Sequence, residues 1–371
     1  SVWDKNRVAV VTDHYVPIEG EETRAIQELT REWVLEQDIK NFYDQQGICH
    51  VVLPERGHLS PGMFCVGGDS HSPTGGAFGA YMFGIGATEM AGVLATGEIW
   101  IKVPETILIK WTGQTDAFVT AKDMMLATCA KIGMGGGRYQ AIQYAGEAIH
   151  KLNMQERMTM SNMAAELGAQ AGLISPDETT IEYLKSVNAS ILYNWQNYQI
   201  EKPDLNGEVI NLDASSLSPQ IAAPHSPENS ADVDDFKNIS FDIAYIGACT
   251  GAKYTDLMAA ASILKNRKVS SNVCLKVAPA SLRDQQRAER EGIMRILEDA
   301  GAEFLPNSCG ICAGYGSDRL LKEQVCISST ARNFKGRMGD PSSKVYLASP
   351  YTVAASAIAG TMVDPRDMME S

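Results

Sequence analysis

Apolar and polar positions alternate most regularly in the last third of the chain. Short apolar runs at 241–246, 273–277, 303–305, 325–328 and 345–348 predict strands, and the stretches 254–264, 281–300 and 350–360 predict helices. Strands separated by helices at this spacing need crossover connections, which predicts a mainly parallel α/β sheet covered on both faces. Functional loops in such a sheet lie at the carboxyl ends of its strands.

The first third predicts a strand at 7–12, an amphipathic helix from about 22 to 42, and a strand at 48–53. A glycine-rich loop at 67–79 leads to a small-residue helix ending near Gly97, and 106–111 predicts another strand. The middle is helix-rich at first and looser later, and the Pro- and Ser-containing stretch 222–231 predicts a linker. A chain of 371 residues exceeds one ordinary core. Two or three domains are expected, with 1–112, 113–232 and 233–371 as the candidate units.

Hydrophobic content of 44% with 21% charged residues is that of a soluble globular protein. No apolar run is long enough to predict a membrane span, and no basic segment followed by an apolar one predicts a signal peptide. Eight cysteines without disulfide-dense spacing predict reduced thiols, hence a cytoplasmic setting. The formal charge of -13 weighs against a nucleic-acid surface but not against an anionic substrate, which responds to the local field of a cleft.

Three cysteines carry the chemistry. Cys249 stands in Gly247-Ala248-Cys249-Thr250-Gly251, and Cys309 and Cys312 in Asn307-Ser308-Cys309-Gly310-Ile311-Cys312. Each lies in a small-residue turn directly after a predicted strand. Three sulfurs without an evident fourth predict an iron–sulfur cluster with one iron left open as a Lewis acid. The Cys309/Cys312 spacing alone also fits a zinc knuckle or a redox pair. Cys49, Cys65, Cys129, Cys274 and Cys326 sit in or beside apolar segments and are expected to be structural.

A second constellation is Gly67-Gly68-Asp69-Ser70-His71-Ser72-Pro73-Thr74-Gly75-Gly76, where an acid, a hydroxyl and an imidazole have little steric cover. A phosphate loop would need a lysine that does not follow. Asp13 and His14 form a similar dyad after the first strand, although such a pair is more often a turn or cap. His50, closing its predicted strand, reads as core. Asn162 and Glu166 stand four apart on one helical face among apolar neighbours, where a carboxylate needs a partner. Arg332 and Arg337 follow another strand, and guanidinium forks match carboxylates. His58, His150 and His225 read as structural or surface residues.

Taken together, these segments resemble the aconitase superfamily, most closely the large subunits of the 3-isopropylmalate dehydratase type, with homoaconitase and dimethylmalate or maleate hydratase relatives. The segment 102–107 and Met160-Ser161-Asn162-Met163 add to the likeness, which runs nearly end to end. It implies three α/β/α domains with mainly parallel, doubly wound sheets around a central cleft, without the swivelling fourth domain. It also leads us to expect a segment upstream of Ser1, absent here or supplied by another piece.

The resemblance further implies one [4Fe-4S] cluster held by Cys249, Cys309 and Cys312 with one open iron, and supported by Asn162. Asp13 with His14, His50 with Asp69, and His71 with Glu166 would handle protons, His14 being the group that protonates a departing hydroxyl. Ser70, Arg332 and Arg337 would hold the substrate. The implied partner is a small subunit that supplies the swivel domain, with its catalytic serine and a substrate-selecting loop. The implied reaction is a hydro-lyase's dehydration and rehydration of a branched hydroxy-dicarboxylate, led by 3-isopropylmalate/2-isopropylmalate isomerisation in leucine biosynthesis. No nucleic acid or membrane is expected as a partner. An RNA-binding relative and a cluster-deficient relative are the competing readings. Three positions depart from the pattern: Gly251 and Ala331, where asparagine is usual, and Val51, where glutamine is.

Overall fold

The computed structural model describes residues 1–192, 194–199 and 207–368. Residues 193 and 200–206, expected in the middle domain, and 369–371, expected in the last, lie outside the described residues. Strand β1 (Ala9–Thr12) leads into helix α1 (Gly20–Glu36) and pairs in parallel with β2 (Asn41–Asp44). The helix expected to reach residue 42 therefore stops six residues early. Asp38 takes φ 53, and the chain turns there into β2.

Helix α2 (Cys49–Glu55) replaces the strand expected at 48–53. Its apolar residues Ile48, Val51 and Val52 recur at helical spacing and are buried. The carboxylate of Asp13 accepts the Cys49 N–H at 2.7 Å, satisfying an amide at the helix start that β-branched propensity ignores. Strands β3 (Phe64–Gly67) and β4 (Tyr81–Gly84) form a second parallel pair, followed by α3 (Ala87–Thr96).

Strand β5 (Thr106–Thr112), helix α4 (Ala121–Ile132), β6 (Ala141–Ala145), α5 (Glu147–Lys151), α6 (Met154–Asn162), β7 (Ala171–Ile174), α7 (Glu178–Ser186) and β8 (Val209–Asp213) follow in order. Their strands form one parallel sheet, β7-β6-β5-β8. Thus β5, which sequence placed at the end of the first domain, shares a sheet with the second.

Next come β9 (Gln220–Ala222) and β10 (Ser230–Asp232), an antiparallel hairpin spanning the stretch expected to be a linker. Strand β11 (Ile243–Ile246), α8 (Tyr254–Leu264), β12 (Cys274–Val277), α9 (Leu282–Arg290), α10 (Ile293–Ala300) and β13 (Ala302–Phe304) continue the chain. Strands β14 (Val325–Ser328) and β15 (Lys344–Ala348) and helix α11 (Pro350–Ala359) complete it. The single helix expected over 281–300 is two, divided at Gly292 with φ 76.

The sheet runs β10-β9-β15-β14-β11-β12-β13, with β11 to β15 mutually parallel. Strand order reverses between β14 and β11, the kind of crevice where open α/β sheets bind ligands. The α/β fold with mainly parallel sheets is as the resemblance implied. Helices α8 and α11 bury apolar faces in the core beneath this sheet. Among the described residues no helix is long and apolar enough to cross a membrane.

Candidate active site

Cys249 follows β11, Cys309 and Cys312 follow β13, and Arg332 follows β14, so all leave the same carboxyl-terminal edge of the sheet. Ala248, at φ 67, turns the chain just ahead of Cys249. A Cβ on Gly251 would fall 2.2 Å from the Cβ of Ser329 and 2.5 Å from its carbonyl oxygen. Asparagine therefore has no room at position 251: the loops after β11 and β14 touch there. The Ser329 hydroxyl closes the contact, accepting the Gly247 N–H at 3.0 Å and lying 3.1 Å from the Gly251 carbonyl oxygen. Ala331, the other departure, is buried in the same region.

All three sulfurs are buried and free of disulfides. Burial pushes the Cys249 thiol up to about 12 and raises Cys309 and Cys312 as well, so each keeps its proton unless a metal displaces it. Asn162 donates to Cys249 Sγ at 3.1 Å and to Thr74 Oγ1 at 2.8 Å, while its own Oδ1 is buried without a partner. The Nε of Arg337 is likewise buried and unpaired.

Two triads of ligand atoms converge within 4.8 Å, Asp13–His14–Cys309 and His50–Asp69–His71; the three cysteine sulfurs do not form one. A single zinc would hold thiolates about 3.8 Å apart. The wider spacing, the soft all-sulfur donor set and the orphaned amide oxygen fit a cluster better than one ion.

Beside the cysteines runs a network of imidazoles and carboxylates. Asp13 bonds His14 Nδ1 at 2.7 Å. Asp69 is the hub: His50 Nε2 stands 2.7 Å from it, the His71 backbone N–H 2.7 Å and His14 Nε2 3.9 Å. His71 Nε2 lies 2.8 Å from Glu166 Oε1, and Arg332 Nε donates to both Glu166 oxygens at 2.8 and 3.0 Å. Arg332 Nη1 also donates to Ser70 Oγ at 2.8 Å. The expected pairs therefore meet, and His50 belongs to the network and not to the core alone.

Burial would raise the Asp69 carboxyl, but the charges of His50 and His71 and their bonds hold it far below the usual carboxylate range. Burial also works against ionised Asp13 and Glu166, yet His14 lowers the first and His71 with Arg332 the second. The imidazoles respond in the opposite sense. Burial alone would lower His14 and His71, whereas Asp13 and Asp69 raise His14, and Asp69 and Glu166 raise His71. Both hold a proton to higher pH than a free imidazole. His14 is the exposed member: its side chain is 30% accessible, against 4% for His50 and 9% for His71.

Sequence reasoning missed three contributors. The Cys49 amide anchors Asp13, Thr74 holds Asn162, and a fully buried lysine, Lys122, reaches the loops of both Cys249 and Arg332. Lys122 left no signal, because a lysine in the first turn of a helix ordinarily reads as solvated.

The profile of the aconitase family (aconitate hydratase) matches residues 4–242 and 234–360. A 3-isopropylmalate dehydratase large subunit 1 from Methanopyrus kandleri is 43% identical over 98% of this chain and 87% of its own length. A probable methanogen homoaconitase large subunit from Methanosarcina mazei is 42% identical over 98% of this chain and 92% of its own. The crystal structure of Thermococcus kodakaraensis aconitase X covers 91% of this chain and 78% of its own with a TM-score of 0.53; at 12% identity it speaks to the fold alone. With a sheet whose strand ends gather three thiols beside a His–carboxylate network, and with matches over nearly its whole length, the chain belongs to the aconitase family.

Proposed function

We propose that this chain is the large, cluster-bearing subunit of a hydro-lyase that dehydrates and rehydrates a small branched hydroxy-dicarboxylate, led by the interconversion of 3-isopropylmalate and 2-isopropylmalate. Cys249, Cys309 and Cys312 would hold one [4Fe-4S] cluster, with Asn162 bonding the Cys249 sulfur. When bound, the cluster supplies a Lewis acid for the substrate hydroxyl.

The remaining chemistry belongs to side chains of this chain. His14, kept protonated by Asp13 and open to the cleft, would deliver its proton to the departing hydroxyl. Glu166 orients both His71 and Arg332, and His50 fixes the hub carboxylate Asp69. Arg337 and the Nη edge of Arg332, beside Ser70, would bind substrate carboxylates. The base and the loop that selects the substrate side chain would come from a small subunit supplying the swivel domain. Relatives named large subunits support such a partner. The same reading divides the chain into three α/β units near 1–112, 113–232 and 233–371, with β5 moved to the second and the β9–β10 hairpin to the third. Eight free cysteines and an oxygen-sensitive cofactor suit a reducing, cytoplasm-like compartment.

The observation that carries the reading is the Asn162–Cys249 contact at 3.1 Å, which joins a buried thiol to the segment that carries Glu166 of the imidazole–carboxylate network. The test is a turnover screen of the anaerobically reconstituted chain with its small subunit. Substrates are isopropylmalate, homocitrate, dimethylmalate, citramalate and malate. Turnover of isopropylmalate above the others is expected; preference for homocitrate would favour the homoaconitase reading that the 42% relative supports. Turnover of none, with the cluster intact, overturns the proposal.

A further inference from the structure

We infer that Lys122 is a buried counter-cation of the three-thiolate site and the residue that positions the Cys249 loop against the Arg332 loop. The inference rests on the cluster reading above. Lys122 opens helix α4 and is 2% exposed. Its ammonium donates to Thr250 Oγ1 at 3.4 Å, to the Ser329 carbonyl at 3.1 Å and to the Thr330 carbonyl. Thr250 Oγ1 donates in turn to the Ser329 carbonyl at 3.1 Å. One side chain thus bonds the residue after Cys249 and the two residues before Ala331–Arg332.

Three neutral oxygens satisfy the hydrogens of an ammonium but not its charge. Among the described residues no carboxylate forms an ion pair with Lys122. Lys253, just as buried, shows the contrast: it donates to the Cys249 carbonyl at 3.0 Å but also pairs with Asp256 at 2.8 Å. A buried charge without a counter-charge is costly, and it persists where a charge of opposite sign is brought to it. Around Lys122 the repelling group is Lys253, and the attracting groups are Glu166, Cys249 and Cys312. Glu166 is already committed to His71 and Arg332. Cys249 and Cys312 are neutral as thiols and anionic once they ligate metal. Burial, then Lys253, brings the ammonium down to about 8. Filling the site therefore supplies the missing anion, and Lys122 in turn stabilises the filled state.

This coupling separates a charge role from a merely structural one. In the full chain, K122M and K122Q both remove the charge, and K122Q keeps part of the polar reach; K122R keeps the charge. Each variant is melted before and after anaerobic reconstitution with iron and sulfide, its iron loss to a chelator is timed, and its cluster potential is measured. Wild type and K122R are expected to gain thermal stability on reconstitution. In K122M and K122Q we expect a smaller gain, about tenfold faster iron loss, and a shift to lower potential, because reduction adds negative charge next to a site that has lost its cation. Where K122M does not fold, K122Q decides. An unchanged gain and potential in the charge-free variants overturns the inference while leaving the cluster reading standing, even if apo and reconstituted forms both melt lower. Failure of the wild-type chain to take up iron and sulfide overturns the cluster reading and this inference with it.

Discussion

Glu166 and His71, 95 residues apart in sequence, meet at 2.8 Å, and Glu166 has no exposed side-chain surface. The same carboxylate bonds Arg332 through both oxygens. One buried anion thus answers two cations contributed by different loops, after β3 and after β14. Such an arrangement sets positions as well as charge, because moving any member leaves an unpaired ion in a low-dielectric interior.

Replacing Glu166 with Gln keeps the shape and removes the charge. Its two cations then lose their counter-ion, which should cost about 3 kcal/mol of stability. Turnover should fall by at least about a hundredfold, since Arg332 and His71 both lose their orientation. Thermal melting and kcat/KM of the reconstituted enzyme check this. E166D, which retains the charge at shorter reach, should recover stability better than turnover.

The five parallel strands of the large sheet, β11 to β15, were legible because they follow short apolar runs closed by glycine or polar residues, a pattern set locally. Helix α2 was not. Its run Ile48-Cys49-His50-Val51-Val52 has strand propensity, and the cap that makes it helical comes from Asp13, a partner that no local window contains. The hairpin at 220–232 was hidden by prolines that occupy its turn, while its strands find their place only by pairing with β15, more than a hundred residues on. Asp13, Asp69 and Glu166 could be named from motifs, but spacing alone could not say which imidazole each would meet. Lys122 was invisible for a related reason: its burial depends on loops that arrive 128 and 207 residues later.

Gly251 provides a steric test. A methyl group there meets the Ser329 Cβ at 2.2 Å and the Ser329 carbonyl oxygen at 2.5 Å, and backbone cannot swing aside as a side-chain tip can. G251A should lose about 2 kcal/mol or more, read as a lower melting temperature, and G251N should be worse. S329A should not rescue either variant, because the clashing Cβ and carbonyl remain. A G251N chain as stable as the wild type would show that the two loops separate freely.

Arg337 lies against Cys312 but, unlike Arg332, has a buried Nε without a partner, so that nitrogen has a bond to offer a ligand. Lysine at this position keeps the charge but not the fork. R337K should raise KM for the hydroxy-dicarboxylate about ten- to a hundredfold, with a melting temperature close to that of the wild type. R332K, by contrast, should lower both activity and melting temperature, since it breaks the bond to Glu166. Steady-state kinetics and melting of the two variants side by side separate these outcomes.

The last test concerns pH and a carboxylate pair away from the cysteines. Glu55 accepts the Ser281 hydroxyl at 2.7 Å, while Asp284 accepts the Tyr254 amide at 2.9 Å and Gln155 Nε2 at 3.0 Å. Burial, then the nearby charge of Asp284, pushes Glu55 up to about 8, and burial raises Asp284 too. The pair titrates as a unit. In the unfolded chain both carboxyls ionise near pH 4. Between about 4.5 and about 8 the native chain therefore keeps a proton that the unfolded chain releases. The stability this proton contributes is fully present below the unfolded value, declines as pH rises, and is gone once Glu55 ionises near 8. Urea midpoints should accordingly fall from pH 5 to pH 8. E55Q, which cannot ionise, should show a flatter profile and should exceed the wild type at pH 8. A wild-type profile that runs parallel to that of E55Q would mean that Glu55 is already ionised in the native chain.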